Sequence, residues 1–331
     1  MEVYFPAYYN TFRCIAADCP DSCCKEWTVD VDPEAAARYR ALDGALGDRL
    51  RAVLQDTVDG TVMVIENDRC PMWREDGLCR IQAELGHDAL CKTCRDFPRI
   101  QHDYGNFKEL GLELSCPEAA RLILTATADM QTAICTGGEE PAYDTTVMDI
   151  LKKSRQEALD LTDDPRFSFR EALAILLLHA HTVQGQIDGC DEELFAPEAL
   201  LTEAKSYAHP GDVKSIFDFF QGLEILTGQW KSALVQPPLP VCESDTLRAF
   251  LRYLICRYWL QAVSDLDLVC RAKLIIASCI LVASLAGDPI RIAQLFSKEI
   301  ENDPDNVEAI LDGAYNSPAL TDSNLIGVLL G

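Results

Sequence analysis

Residues 14–24 read CIAADCPDSCC, so four cysteines lie within eleven positions. Five more follow before residue 117, spaced C-x8-C-x11-C-x2-C and then an isolated Cys-Pro step. Thiolates are soft ligands that suit zinc, copper(I) and iron–sulfur clusters. The sequence therefore predicts that the N-terminal third is organised around a metal centre. Its candidate ligands are Cys14, Cys19, Cys23, Cys24, Cys70, Cys79, Cys91, Cys94 and Cys116.

The spacing of these thiols bears on how they share an ion. Cys91 and Cys94 can both face one ion from a single turn, and a tetrahedral zinc site needs four such donors. Cys23 and Cys24 are adjacent, so either one of them ligates while the other packs, or the two serve two centres. Nine thiols exceed one four-thiolate site, and the excess can form a second centre, supply a reactive thiol or pack as small apolar residues. The six later cysteines lie mostly in apolar helical patterns, and we expect them in the core.

Composition and charge narrow the class of protein. The chain has 331 residues, 48% hydrophobic and 25% charged, which is typical of a soluble globular protein with one or two domains. Its net charge of −24 argues against a nucleic-acid partner, because phosphate binding needs a basic face. The start of the chain lacks a secretory signal pattern, and the longest apolar run, residues 274–286, falls short of the roughly twenty residues of a membrane span. We therefore expect a cytoplasmic protein that does not bind membranes, in which dense cysteine indicates metal or redox chemistry.

The patterning predicts an α+β fold that is predominantly α-helical. A cysteine-rich module with short strands is expected over residues 1–130, a linker over 131–145 and a helical region over 146–331. Strand-like segments lie at Trp27–Val31, Thr61–Glu66 and Phe107–Leu114. Helices are predicted at residues 33–54, after Cys116, from Ser168 with Glu171 as a capping box, and at 213–228, 247–263, 268–286, 290–301 and 307–315. Ser115 or Cys116 would cap the helix that Pro117 begins, where the helix dipole favours a thiolate.

Several ordered motifs in the first part of the chain are similar to one known family. The chain resembles the flagellin lysine-N-methylase family, which overlaps broader families named for chelation of zinc or iron. The resemblance covers roughly residues 4–125. The motifs are Phe12-Arg13-Cys14, Cys19-x3-Cys23-Cys24, Trp27, Val29–Asp32, Cys70-Pro71, Gly77–Ile81, Cys91-x2-Cys94 with Arg95–Arg99, and Leu114–Leu122.

This resemblance implies methyl transfer from S-adenosylmethionine to lysine ε-amines of a protein substrate, chiefly flagellin, by an enzyme that carries a 4Fe–4S cluster. Three thiolates and one open iron position would let the cluster anchor S-adenosylmethionine. Four thiolates would make the cluster structural or electron-carrying. The acidic net charge is compatible with a partner that bears surface lysines.

Candidate catalytic carboxylates follow from the chemistry of the amine. A lysine must lose its proton before it attacks a sulfonium methyl, which requires a base or a desolvated pocket. Glu109, Glu113 and Glu118 lie near Cys116 in sequence and are candidates to hold the positive charge or accept the proton. The alternative is that they occupy an exposed strand or helix face.

Candidate residues for binding the methyl donor follow the Cys91/Cys94 pair. Arg95 and Arg99 suit the donor's carboxylate, because a guanidinium forms forked hydrogen bonds. Alternatively they bond cluster sulfurs or pair with Asp96 and Asp103. Trp27, together with Trp73, Tyr104 and Phe107, is a candidate to stack on adenine or to surround the sulfonium, with packing around the metal centre as the alternative.

Two other classes of protein remain open on the residues alone. One is a non-catalytic metal-binding protein, with structural zinc or a metal-delivery role and the helical region as a partner surface. The other is a redox enzyme that uses Cys91 and Cys94 as an exchangeable disulfide, although the βαβ pattern of thioredoxin-like folds does not follow that pair. The sequence predicts no oligomeric state.

Overall fold

The computed structural model describes residues 1–23, 28–65, 69–126, 130–191 and 194–331. This part of the chain is mostly helical with two small sheets, which confirms the predicted α+β, predominantly helical fold. Its strands are β1 (Glu2–Pro6), β2 (Val29–Val31), β3 (Leu54–Asp56), β4 (Thr61–Met63), β5 (Arg99–Asp103), β6 (Phe107–Leu112) and β7 (Met130–Ile134).

The α-helices are α1 (Pro33–Ala41), α2 (Gly44–Val53), α3 (Arg80–Leu85), α4 (Lys92–Asp96), α5 (Pro117–Thr125), α6 (Thr145–Asp163), α7 (Phe169–Ile187), α8 (Pro197–Tyr207), α9 (Val213–Gln221), α10 (Gly228–Leu234), α11 (Asp245–Tyr258), α12 (Leu268–Ser284), α13 (Pro289–Phe296), α14 (Pro304–Asn316) and α15 (Asp322–Leu330). Short 3₁₀ turns occupy Ala7–Thr11, Ala16–Asp18, His87–Ala89, Trp259–Val263 and Pro318–Leu320. A π-helical turn spans Ser297–Glu301.

The larger sheet has the strand order β5-β6-β1-β7. β5 and β6 form an antiparallel hairpin, whose turn is closed by the Gly105 amide donating to Asp103 Oδ1 at 3.0 Å. Gly105 has a φ of +78°, which glycine adopts without the steric cost that other residues pay. β1 pairs parallel to β6 and antiparallel to β7, so the start of the chain lies in the middle of this sheet.

The smaller sheet, β2-β4-β3, is antiparallel and packs with α1 and α2 around a core of its own. The carboxylate of Asp32, which follows β2, links α1 to α4. Asp32 accepts from the Ala35 amide at the start of α1 (2.9 Å) and from the Lys92 amide at the start of α4 (2.6 Å). The Tyr39 hydroxyl donates to the Ala89 carbonyl at 2.8 Å. These bonds fix the position of the segment that carries Cys91 and Cys94.

The larger core is built on α12, all of whose residues are buried. α12 contains most of the apolar run 274–286 and confirms the helix predicted over 268–286. Leu114 of the β6–α5 connection and Ile123 of α5 belong to the same core as the later helices. Residues on both sides of the predicted linker thus share one core. The division into a module, a linker and a helical region stays a prediction. Within the described ranges, no helix combines the length and apolar character needed to cross a membrane.

Local capping predictions are confirmed, whereas long predicted helices divide. Ser168 and Glu171 form the capping box, and Cys116 precedes Pro117 as the N-cap of α5. The helix predicted over 33–54 is two helices that break before Gly44, whose φ is +81°, and Arg51 donates to the exposed Leu42 carbonyl at 2.6 Å. Of the predicted 213–228 helix, only Val213–Gln221 forms a helix (α9), and α10 begins at Gly228. The predicted 290–301 helix changes to a π-turn after α13.

The prediction for the later cysteines is only partly correct. Cys270 and Cys279 are buried in α12 as expected, and Cys256 is half-buried on α11. Cys135, Cys190 and Cys242 are exposed, because they lie in connections between elements and not in the apolar helical faces.

Candidate functional site

A cavity of ≈ 350 Å³, here called the cysteine cavity, collects thiols from distant parts of the chain. Six of the nine predicted ligands line it: Cys14, Cys19, Cys23, Cys79, Cys94 and Cys116. Cys70 and Cys91 are buried in the smaller core instead, and Cys24 lies outside the described residues. The fold therefore brings together most, but not all, of the predicted set.

The donor chemistry of the cysteine cavity suits a soft metal group. Its volume far exceeds the about 30 Å³ that one water molecule takes up in the liquid, so it has room for more than a single ion. Across the described ranges, however, no three Cys, His, Asp or Glu side chains are placed closely enough to hold a metal ion. Ligation by these cysteines, whether of zinc or of a 4Fe–4S cluster, stays a prediction.

Burial sets the protonation of the thiols on the side of α5. Burial raises the pKa of Cys116 to about 11, although the amides of Glu118 and Ala119 act in the opposite direction. The expected stabilisation of a thiolate at this helix start is thus outweighed by desolvation. Burial also raises the pKa of Cys19, whose Sγ donates to the Asp21 carbonyl at 3.1 Å.

The Cys91/Cys94 pair behaves differently. Cys91 is the N-cap of α4, is only 2% exposed and lies in the smaller core, while Cys94 lines the cysteine cavity. The hydrogen bond from Cys94 lowers the pKa of Cys91 to about 7, against the effect of burial.

A second cavity of ≈ 390 Å³, here called the acidic pocket, adjoins the first. The two share Cys23, Cys94, Phe97 and Lys298 as lining residues. Four carboxylates line the acidic pocket: Glu113, Glu224, Glu299 and Asp303.

Of the three predicted carboxylates, only Glu113 lies in the acidic pocket. Burial raises its pKa, and the Arg257 guanidinium, 3.7 Å away, opposes that rise. Glu118 sits at the edge of the cysteine cavity and is paired with Arg121 at 2.7 Å. Glu109 is buried elsewhere in a two-pronged ion pair with Arg155, at 2.6 and 2.8 Å.

The predicted donor-binding residues are also separated by the fold. Arg99 lines the cysteine cavity and lies over the rings of Phe12 (5.2 Å) and Tyr9 (5.8 Å). Arg95 is outside that lining, with its Nε 3.6 Å from Asp96 Oδ1. Trp27 lies outside the described residues.

The π-turn Ser297–Glu301 contributes residues that sequence reasoning missed. All of its residues are buried, and π-turns occur often at functional sites. Lys298 Nζ lies 3.4 Å from Asp21 Oδ1, in the cysteine-rich loop. Glu299 accepts from the Leu226 amide at 2.8 Å, and burial raises its pKa. Charged residues inside an apolar helical pattern were the available signal, because charges are seldom buried without a partner.

The larger sheet faces α6 and α11 across a third cavity of ≈ 640 Å³, here called the sheet cavity. The ion pair of Glu109 with Arg155 lies in its wall. Arg257 also lines it and approaches Glu113 of the acidic pocket, so this arginine stands between the two cavities.

The fold and the thiol-lined cavity define a cysteine-rich α+β protein with a candidate metal centre. Comparison with known proteins places it more closely. Over 132 residues the chain is 34% identical to the flagellar biosynthetic protein FliU of Salmonella muenchen, a match that covers 36% of this chain and 75% of FliU. It is 33% identical over 132 residues to the lysine-N-methylases of Salmonella typhimurium and Salmonella choleraesuis. The chain therefore belongs to the family of FliU and the lysine-N-methylases, which confirms the predicted resemblance.

The extent of these matches is partial. The aligned segment covers 36% of this chain and only 31% of each lysine-N-methylase. No family model matches the chain, and no solved structure matches it.

Proposed function

We propose that this protein transfers a methyl group from S-adenosylmethionine to a lysine ε-amine of a protein substrate, flagellin or a similar protein, with a 4Fe–4S cluster bound in the cysteine cavity. The relatives named lysine-N-methylase support the reaction class. The observation that carries the proposal is the acidic pocket, which shares a wall with the cysteine cavity and suits a cationic side chain.

The acidic pocket would bind the lysine ammonium and remove its proton. Glu299 is held in place by the Leu226 amide and the Thr227 hydroxyl, so it can position the ammonium group. Glu113 is the proposed base, because its carboxylate lines the same pocket. The neighbouring Arg257 and Ser115 lie 3.7 and 3.5 Å from that carboxylate.

The bond changes follow from that arrangement. The proton passes from the ammonium to the Glu113 carboxylate, and the freed amine attacks the methyl carbon of the donor. An N–C bond forms while the S–C bond breaks, and its electron pair returns to sulfur to give S-adenosylhomocysteine. Burial of Glu113 helps, since a desolvated pocket also favours the neutral amine.

The cysteine cavity would hold the cluster with thiols such as Cys79, Cys94 and Cys116. When bound, the cluster supplies an iron centre beside the acidic pocket. Arg99 and Lys298 line the same cavity and offset the negative charge that ionised thiols bring there.

The test uses protein purified without oxygen. Iron and acid-labile sulfide are measured first, and about four of each per chain is expected for one cluster. Methyl transfer from labelled S-adenosylmethionine to flagellin is then compared for wild type, Glu113→Gln and Glu299→Gln. Loss of a general base lowers the rate by about 100-fold or more.

Glu308→Gln is the matched control, because Glu308 is an exposed carboxylate on α14. The base assignment fails if Glu113→Gln methylates at the wild-type rate. Zinc near one or two equivalents without sulfide, and no transfer by wild type, would instead favour a structural or metal-delivery protein.

A further inference from the structure

A row of side chains crosses the larger sheet beneath the sheet cavity. The register pairs His102 with Glu109, Glu109 with Tyr4, and Tyr4 with Thr132, so these four residues stand side by side on β5, β6, β1 and β7. All four line the sheet cavity. Since alternate residues of a strand face opposite sides, the row presents one continuous surface to the cavity.

Two arginines that line the sheet cavity are already paired with carboxylates, whereas Lys152 lies over the Phe107 ring, 3.8 Å from its centroid. Arg155 is bound by Glu109, and Arg252 is bound by Asp163. A phosphate bound by either arginine would have to displace its carboxylate, so these two arginines favour a ligand without phosphate. At the rim, Asp160 accepts a hydrogen bond from the neutral side-chain amide of Gln156 at 2.8 Å. The negative charge of Asp160 is therefore suited to an ammonium group.

The sheet cavity also offers an aromatic surface and an unused polar atom. Tyr4 and Phe107 meet edge to face with ring centroids 6.0 Å apart and both line the cavity. The Nε2 of His102 is buried and has no hydrogen-bond partner within the described parts of the chain. Buried polar atoms are normally bonded, and one that is not needs an explanation such as a missing ligand group.

We propose that the sheet cavity binds the methyl donor, a nucleoside joined to an amino acid, with the nucleoside on the row of His102, Glu109, Tyr4 and Thr132. The volume of ≈ 640 Å³ is in the usual range for a ligand of this size. Arg257 lines this cavity and lies 3.7 Å from Glu113, which lines the acidic pocket. This assignment rests on the proposed function. In it, side chains of the sheet and helices bind the donor, away from Arg95 and from an open iron position.

The experiment measures binding, not turnover. S-adenosylhomocysteine is titrated calorimetrically into the full chain purified without oxygen, and adenosine monophosphate serves as a phosphate-bearing comparison. Thr132→Trp fills the cavity from β7. Gln131→Trp is its control, because residue 131 is exposed on the opposite face of the same strand. His102→Phe keeps the ring and removes the unpaired nitrogen.

We expect Thr132→Trp to abolish binding and Gln131→Trp to leave it within about twofold of wild type. We expect His102→Phe to weaken binding by about tenfold, the effect of one buried hydrogen bond. Wild-type affinity in both Thr132→Trp and His102→Phe would overturn the cavity assignment alone. Tighter binding of adenosine monophosphate than of S-adenosylhomocysteine would overturn it as well. If wild type binds no S-adenosylhomocysteine while its cluster is intact, the proposed function itself fails.

Discussion

Lys298 Nζ lies 3.4 Å from Asp21 Oδ1, and both side chains are buried. Gln294 adds a hydrogen bond to Asp21 Oδ2 at 3.0 Å and another to the Ser115 carbonyl at 2.7 Å. Asp21 sits between Cys19 and Cys23, so the α13 and π-turn segment holds the cysteine-rich loop against the start of α5. The helical region is therefore part of the wall of the candidate metal centre.

Lys298→Met removes the cation from this contact and leaves Asp21 buried beside weaker partners. We expect the free energy of unfolding to fall by about 2 kcal/mol, because a buried contact to a charged group is lost while Arg291, 3.3 Å from Asp21 Oδ2, still compensates its charge. Lys214→Met is the control, since Lys214 pairs with Asp218 on an exposed helix face and such pairs contribute about 0.5 kcal/mol. Urea unfolding of both variants measures the difference. Equal stability of the two variants would mean that the buried contact does not hold the loop.

Substitutions at Cys79 and Cys70 test which cysteines are ligands, as proposed, and which are core thiols. Cys79 lines the cysteine cavity, whereas Cys70 is buried in the smaller core with its sulfur 3.4 Å from that of Met63. We expect Cys79→Ser to lower the iron and sulfide content by half or more. Cys70→Ala should keep the metal and cost about 1 kcal/mol of stability through lost packing. Metal analysis and urea unfolding check both, and loss of iron in Cys70→Ala would return Cys70 to the ligand set.

Features that depend on neighbours in sequence were predictable. The capping box of Ser168 and Glu171 and the N-cap at Cys116 before Pro117 are set by residues within one helical turn. The break after α1 carries a local signal that was overlooked, the Asp43-Gly44 dipeptide, in which Gly44 has a φ of +81°. The strands β1, β3, β5 and β7 were missed because they are short and pair with distant partners, as Glu2 does with Phe107.

The cysteine content of the candidate site was predictable, but its arrangement was not. The cysteine pattern indicated which residues gather, and six of the nine line one cavity. Lys298 and Glu299 complete its surroundings. Their position was not predictable, because the contact of Lys298 with Asp21 spans 277 positions and a single chain carries no periodic signal for it. Glu109 and Glu113 are four residues apart in the chain and yet face different cavities, because the larger sheet ends between them.

The Glu109–Arg155 pair should respond to substitution as a buried pair does. Glu109→Gln leaves the Arg155 guanidinium without its carboxylate in the wall of the sheet cavity. We expect a loss of about 3 kcal/mol, and a double variant with Arg155→Met should lose less than the sum of the two single variants. Glu34→Gln, which breaks an exposed helix pair with Arg38, should change stability by less than about 0.5 kcal/mol. Additive losses in the double variant would contradict direct coupling.

His179 should make stability depend on pH. Its ring is buried against Phe195, with Nε2 3.3 Å from the Ser154 carbonyl, and burial lowers its pKa to about 4. In the unfolded chain the His179 ring has its ordinary pKa near 6.5. Between about pH 6.5 and pH 4 the unfolded state therefore binds more protons than the folded state. The contribution of His179 is therefore complete above pH 6.5 and is lost as the pH falls towards 4, by about 3 kcal/mol in total.

His179→Phe keeps an aromatic ring in the core and removes the titrating group. The free energy of unfolding, measured from pH 7 to pH 4.5, should fall less steeply in this variant than in wild type. Asp322 does not confuse the comparison, because its pKa of about 2 places its effect below this window. Parallel curves for the two proteins would show that His179 has the same pKa in the folded and unfolded states and that its burial does not govern acid stability.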